Sequence, residues 1–161
     1  MAQILATCGS AFVKAGGDGA TWMIGNDRIA KTIAWHPDTG LHLVTLANAA
    51  TGHTWRPGLA TGPTVGGEFA LTWNDLIVSG RQAIALRGVC AEAGPTSVTL
   101  AIEIDLPTTL AVTVHYRLHA NTAVIEQWLD VKALADGMLH HVTPITVNAD
   151  NLPAPELHWV R

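Results

Sequence analysis

Turn residues divide most of this 161-residue chain into short runs. From Thr21 onward, alternating or β-branched runs are separated by turn residues at intervals near the ~8 to 12 residues typical of all-β sandwiches and barrels. The turn His36-Pro-Asp-Thr-Gly40, for example, is rich in residues that supply a fixed or positive φ. No convincing amphipathic helix interrupts this pattern. The sequence therefore predicts an all-β fold, an antiparallel two-sheet β-sandwich with little helix.

The pattern defines about ten strands and one domain. The better-defined strands are predicted at 28–35, 41–47, 67–73, 82–91, 98–106, 109–118, 123–133 and 139–147. Residues 1–20 hold several glycines among small residues, so we expect a flexible glycine-rich lead-in without a regular element. Residues 21–161 are predicted to form a single β-sandwich domain.

The charge and hydropathy of the chain exclude several classes of partner. Nine Lys and Arg stand against 13 Asp and Glu, which gives a net charge of -4, and the basic residues form no run. Nucleic-acid backbones and anionic membranes require clustered cations, so neither is expected as a partner. No run approaches the ~18 apolar residues that span a bilayer. The N-terminus lacks the basic region of a secretory signal, so we predict a soluble chain and leave its compartment open.

The metal-ligating residue types indicate no cofactor. Cys8 and Cys90 lack the spacing of a disulfide framework or a zinc knuckle, so two free thiols are predicted. His115 and His119 are ~13 Å apart along one strand, which is too far to chelate one ion. Three aspartates are too scattered to support a structural calcium: Asp18, Asp27 and Asp38.

The tryptophans carry the strongest hint of function. Six Trp against one Tyr and two Phe is an unusual aromatic balance, and Trp combines a large stacking surface with a hydrogen-bond donor. In the strand predicted at 123–133, side chains two apart share a face. Trp128 therefore lies on the polar face with Glu126 and Asp130, opposite the apolar face. A large ring in this position indicates a docking partner or a stacked ligand.

Cross-strand pairing surrounds Trp128 with polar groups. Tight turns at 107–108 and 120–121 predict two rows across three strands: Glu103, Thr113 and Trp128, and then Ala101, His115 and Glu126. Small neighbours in these rows are expected to leave the indole face open. Hydrogen-bonding side chains are expected to flank it: His115, Arg117, Glu126 and Asp130. A flat ring beside planar polar groups suits a pyranose ring and its hydroxyls.

Two other tryptophans are candidate ligand contacts. Trp55 lies in a segment that opens a loop rich in Gly and Pro, and loops often carry binding groups on a rigid scaffold. We therefore predict ligand contacts from Trp55 and its neighbours His53 and Arg56. Trp73 ends a predicted strand at Asn74, which predicts a rim aromatic.

Several segments together resemble a known family. They are Trp22-Met-Ile-Gly-Asn26, 29–33, Thr39-Gly40-Leu41, Leu46-Ala-Asn48 with Thr51-Gly52, and 116–134. They look like the amino-terminal β-sandwich domain of glycoside hydrolase family 36, the α-galactosidase-like enzymes, and like related carbohydrate-binding modules. The resemblance implies an accessory domain that precedes a catalytic (β/α)8 barrel in its parent protein. It also implies that the catalytic carboxylates belong to that barrel.

The residues themselves show no catalytic motif. A glycosidase needs two carboxyl groups about 5 to 10 Å apart, whereas Glu126 and Asp130 are ~13 Å apart along their strand. Glu103 and Asp105 are ~6.6 Å apart, a permissible distance that is also ordinary for a solvated strand. We therefore expect a non-catalytic chain.

Two hypotheses of function remain open. The first is a non-catalytic module that binds a neutral polysaccharide or oligosaccharide through Trp stacking. The second is a structural or interaction domain that docks on a catalytic barrel or mediates oligomerisation, with Trp128 as the buried contact.

Overall fold

The computed structural model describes residues 2–56 and 67–145. This part of the chain forms 13 strands and one short 3-10 helix, arranged in three antiparallel sheets that pack as a sandwich. The predicted all-β, antiparallel sandwich is therefore confirmed. No helix in residues 2–56 and 67–145 is long and apolar enough to cross a membrane.

The three sheets differ in size. The six-stranded sheet runs in the order β1-β2-β3-β4-β5-β6, with β1 Gln3–Cys8, β2 Ala11–Ala15, β3 Thr21–Gly25, β4 Ile29–His36, β5 Gly40–Asn48 and β6 His53–Trp55. The four-stranded sheet runs β12-β11-β10-β9, with β9 Ala85–Ala93, β10 Ser97–Leu106, β11 Leu110–His119 and β12 Ile125–Ala133. The three-stranded sheet runs β13-β7-β8, with β7 Ala70–Trp73, β8 Leu76–Ser79 and β13 Leu139–Thr143. The 3-10 helix is Gly80–Gln82, and predicted strand residues 146–147 lie outside the described residues.

The central strands of the four-stranded sheet form half of the core. Every second side chain of β10 and β11 is at most 2% exposed: Val98, Leu100, Ile102, Ile104, Leu106, Leu110, Val112, Val114, Tyr116 and Leu118. They belong to the same cluster as Val13, Ile24 and Ile33 of the six-stranded sheet. Burial of each such aliphatic side chain stabilises the fold by roughly 1.5–3 kcal/mol. The alternation fixes which face of β10, β11 and β12 meets solvent.

The lead-in prediction for residues 1–20 is wrong about regular structure. β1 and β2 form a hairpin there, and Gly9 supplies the positive φ of +57° at its turn. Ala6 and Ala11 are 7% and 1% exposed, so small side chains of this hairpin belong to the core. Small side chains bury little apolar surface individually, but this hairpin packs against β9 and β10 of the opposite sheet.

The predicted register is correct between β10 and β11 and wrong between β11 and β12. Glu103 pairs with Thr113, as predicted, whereas Thr113 pairs with Asp130 rather than Trp128. The β11–β12 connection, residues 120–124, is longer than a two-residue turn, and a buried side chain from the β3–β4 connection contacts it. The Nδ2 of Asn26 donates to the carbonyls of His119 at 3.2 Å and of Thr122 at 2.7 Å.

Candidate functional site

Trp128 lies on the solvent-facing side of the four-stranded sheet, as predicted. Its direct partner across the strands is His115, and the two rings are parallel within 2° with centroids 4.9 Å apart. The guanidinium carbon of Arg117 lies 5.0 Å from the centroid of the indole. We call Trp128, His115 and Arg117 the Trp128 platform. The neighbours of the indole were predicted to be small, but the ring of its partner His115 is stacked on it and covers one face. The strand that carries Trp128, β12, lies at the edge of its sheet.

Two carboxylates contact the polar groups of the platform and of its neighbour His119. The Nε2 of His115 lies 2.8 Å from Oδ2 of Asp130, and Nη1 of Arg117 donates to Oε2 of Glu126 at 3.5 Å. His119 reaches the other oxygen of Glu126 at 3.8 Å. The side chains of Glu126 and Asp130 are 46% and 72% exposed. Such exposed pairs contribute little to stability, and they leave both carboxylates accessible to solvent.

A shallow trough adjoins the platform on the same face. It has a volume of about 280 Å³ and is lined by small or short side chains together with one carboxylate: Gly88, Val89, Cys90, Ala101, Glu103 and Thr113. Ala101 pairs with His115 on one side and with Cys90 on the other, so the trough continues the row that contains Trp128. The open surface therefore extends across all four strands.

The carboxyl pair considered for catalysis is divided between two environments. Glu103 borders the trough. Asp105 accepts a hydrogen bond from Nε of Arg87 at 2.6 Å, and this bond and the negative charge of Asp105 raise the pKa of Arg87. Asp105 is therefore engaged in an ion pair at the strand end.

The other predicted ligand contacts do not join the platform. Trp55 is 38% exposed and lies on β6 of the six-stranded sheet, with the ring of His53 edge-on at 4.5 Å. Arg56 follows it and is exposed. Trp73 is not a rim aromatic, because it is only 6% exposed and its ring packs directly against Gly137. The predicted ligand contacts therefore lie in three separate places. Trp128 and its neighbours are on the four-stranded sheet, His53, Trp55 and Arg56 are at β6, and Trp73 is in the core.

Sequence reasoning missed a buried polar cluster between the sheets. Glu68 is 2% exposed, and its Oε2 accepts hydrogen bonds from the hydroxyl of Tyr116 at 2.7 Å and from Nζ of Lys31 at 2.6 Å. The same ammonium donates to Oε1 of Gln127 at 2.7 Å and lies 4.8 Å from the centroid of the Tyr116 ring. Gln127 in turn donates to the carbonyl of Glu68 at 3.0 Å. We call these four residues the Glu68 cluster.

Part of the Glu68 cluster has a signal in the sequence. Lys31, Tyr116 and Gln127 occupy positions that share the apolar face of their strands, and a polar residue in that series indicates a buried partner. Glu68 has no such signal, because it precedes β7 and lies outside the alternation of Phe69, Leu71 and Trp73.

The Glu68 cluster predicts a loss of stability at alkaline pH. Burial raises the pKa of Tyr116 well above its usual value, and the charge of Glu68 and the hydrogen bond to it raise the pKa further. The unfolded chain releases this proton near pH 10, whereas the folded chain retains it. The free energy of unfolding should therefore fall above pH 10 by up to about 1.4 kcal/mol per pH unit.

Urea unfolding between pH 8 and pH 11 measures this slope. The matched control is Tyr116→Phe, which lacks the titrating group. An equal slope in both proteins would contradict the prediction.

Residues 2–56 and 67–145 contain no group of three or more His, Cys, Asp or Glu side chains arranged to hold a metal ion. Cys8 and Cys90 are free thiols. Comparisons of the chain with protein-family models, curated proteins and solved structures give no match. The resemblance to the glycoside hydrolase family 36 domain therefore stays a prediction. The fold and the site define an antiparallel β-sandwich with an aromatic platform on one solvent face.

Proposed function

We propose that the outer face of the four-stranded sheet binds a neutral oligosaccharide or polysaccharide, with Trp128 as the stacking group. The observation that carries the proposal is the Trp128 platform, an indole fixed on a solvent face by a parallel His115 ring and by Arg117. The C–H face of a sugar ring packs on such a ring, while its hydroxyls require planar hydrogen-bonding groups nearby. Glu126 and Asp130 supply carboxylates beside the indole.

Preorganisation favours this use of the surface. The platform side chains already contact one another through ring stacking and the Arg117 guanidinium, so binding would require less further loss of rotamer freedom. The trough beside His115 offers space for additional sugar units, because its small residues Gly88 and Ala101 do not project far from the sheet. Charges of both signs adjoin Trp128, which favours a neutral ligand over a polyanion.

The proposed role is non-catalytic and accessory to a glycoside hydrolase. Glu126 and Asp130 are ~13 Å apart along β12, beyond the separation that glycoside hydrolysis uses. Asp105 is bound to Arg87 and does not act as a free partner for Glu103. Binding without hydrolysis is the activity that these groups support.

The test is calorimetry or affinity electrophoresis of the 161-residue chain against a panel of neutral polysaccharides. At least one glycan should bind, and Trp128→Ala should weaken that binding at least about tenfold, since a central stacking residue is worth more than ~1.4 kcal/mol. Trp55→Ala removes an exposed indole from the other sheet and should keep the parent affinity. Absence of binding to every glycan would contradict the proposal, and loss only in Trp55→Ala would place the site at β6.

A second candidate is an interaction domain that docks on a catalytic barrel or self-associates. It is favoured by three large apolar side chains on one face of the three-stranded sheet, each 40–60% exposed and paired with Trp73 or Leu71 of β7: Leu76, Leu139 and Val142. Contiguous exposed apolar surface often marks a protein interface. Sedimentation of the isolated chain separates the candidates, because a glycan-binding monomer contradicts self-association and a dimer without glycan affinity supports it.

A further inference from the structure

A pocket opens between the two large sheets directly above the Glu68 cluster. It has a volume of about 150 Å³ and aliphatic walls from both sheets, among them Leu43, Leu46 and Ile125. Its floor is polar and consists of Lys31, Glu68 and Gln127. An apolar pocket that ends on a few convergent polar groups is the common form of a small-molecule site. This pocket is partly open to solvent, and none of its lining residues belongs to the Trp128 platform.

The floor has a specific hydrogen-bonding capacity. The Lys31 ammonium carries three N–H donors, and its two oxygen partners among the described residues are Glu68 at 2.6 Å and Gln127 at 2.7 Å. Both amide protons of Gln127 are used, on the carbonyls of Glu68 at 3.0 Å and Pro144 at 2.6 Å. The third donor of Lys31 therefore has no oxygen partner among the described residues, and the ammonium lies 4.8 Å from the centroid of the Tyr116 ring.

The charge of the floor selects neutral ligands. The positive charge of Lys31 is already compensated by Glu68, whose side chain is 1% exposed. An entering carboxylate would add a second anion beside Glu68, and an entering cation would add one beside Lys31. Either would place an unpaired charge beside a largely buried ion pair, which is unfavourable. An alcohol or ketone oxygen accepts a hydrogen bond from Lys31 without this cost.

The walls set the size of the ligand. The pocket volume of about 150 Å³ leaves room for a molecule about the size of benzene. We propose that this pocket binds a small neutral alcohol or ketone, with its oxygen on Lys31 and its hydrocarbon body against Leu43, Leu46 and Ile125.

Methyl NMR of the full chain tests the proposal with three probes of similar size: cyclohexanone, benzene and cyclohexanecarboxylate. Cyclohexanone should shift the methyl signals of Leu43 and Ile125 saturably. Its affinity should exceed those of the other two by at least about tenfold, because only cyclohexanone pairs an apolar body with a neutral acceptor for a charged donor. Equal affinity for benzene, or no saturable shift with cyclohexanone, would overturn the proposal.

Two variants locate the binding. Leu46→Trp fills the pocket from a partly exposed wall and should abolish the cyclohexanone shifts, whereas Trp128→Ala, on the outer face, should leave them unchanged. Lys31→Met should reduce cyclohexanone affinity to that of benzene. Because Lys31→Met also destabilises the fold, the test depends on Leu46→Trp, and unchanged shifts in that variant would refute the pocket as the site.

Discussion

Lys31→Met is expected to lower the free energy of unfolding by about 3–5 kcal/mol, because it leaves the Glu68 carboxylate buried without its counter-ion. Glu68 is 2% exposed, and the ammonium of Lys31 lies 2.6 Å from its Oε2. The hydroxyl of Tyr116 would remain as a hydrogen-bond donor but supplies no charge. Since a domain of this size is stable by only about 5–15 kcal/mol, the variant should be close to unfolding. Urea denaturation followed by Trp fluorescence measures the change.

Two control variants distinguish this mechanism from a general loss of a lysine. Lys132→Met makes the same substitution at an exposed position on β12 and should change stability by no more than about 0.5 kcal/mol. The double variant Lys31→Met with Glu68→Leu removes both charges and should recover much of the loss, since apolar replacements of a buried pair are often neutral. If Lys31→Met lowered the free energy of unfolding by less than about 1 kcal/mol, the Lys31–Glu68 pair would not stabilise the fold as argued.

The alternation of β10, β11 and β12 made much of the fold predictable. A side chain's face follows from parity alone, so the sequence placed Trp128, His115 and Arg117 together on the solvent side of the sheet. The partners of Trp128 were less predictable, because register depends on the length of the connection between strands. Here Asn26 contacts that connection, since its side chain donates to the carbonyl of Thr122 at 2.7 Å. The two residues are 96 positions apart in the chain. The residues of the connection itself give no indication of such a contact.

The Glu68 cluster shows a second limit of sequence reasoning. Its members come from β4, β11, β12 and the segment before β7, and they meet only when the sheets pack. Hydrophobic patterning places apolar side chains in the core, but it does not pair buried polar residues across sheets. The first hairpin was missed for a related reason, since Ala6 and Ala11 are small enough to appear unsuited to a core. Close packing of β1 and β2 against the opposite sheet is what buries them.

Gly40→Ala is expected to prevent folding or to lower the free energy of unfolding by more than about 4 kcal/mol. Few single substitutions have so large an effect. Gly40 begins β5 with a φ of +61°, a left-handed conformation that disfavours any residue with a Cβ by about 1–2 kcal/mol. A Cβ at this position would also lie 2.5 Å from the carbonyl oxygen of Arg81 and closer still to that of Gly80. These are backbone atoms of the 3-10 helix, so no side-chain rotation relieves the overlap.

Gly52→Ala is the matched control that separates backbone strain from this collision. Gly52 has a similar φ of +74°, but among the described residues no atom lies within 4 Å of the position that its Cβ would occupy. Gly52→Ala should therefore lower the free energy of unfolding by only about 1–2 kcal/mol, because it adds backbone strain without a collision. Urea midpoints of the two variants and the parent chain give the difference directly. Equal losses would mean that β5 and the 3-10 helix separate easily, and the close packing between them would then not be a requirement of the fold.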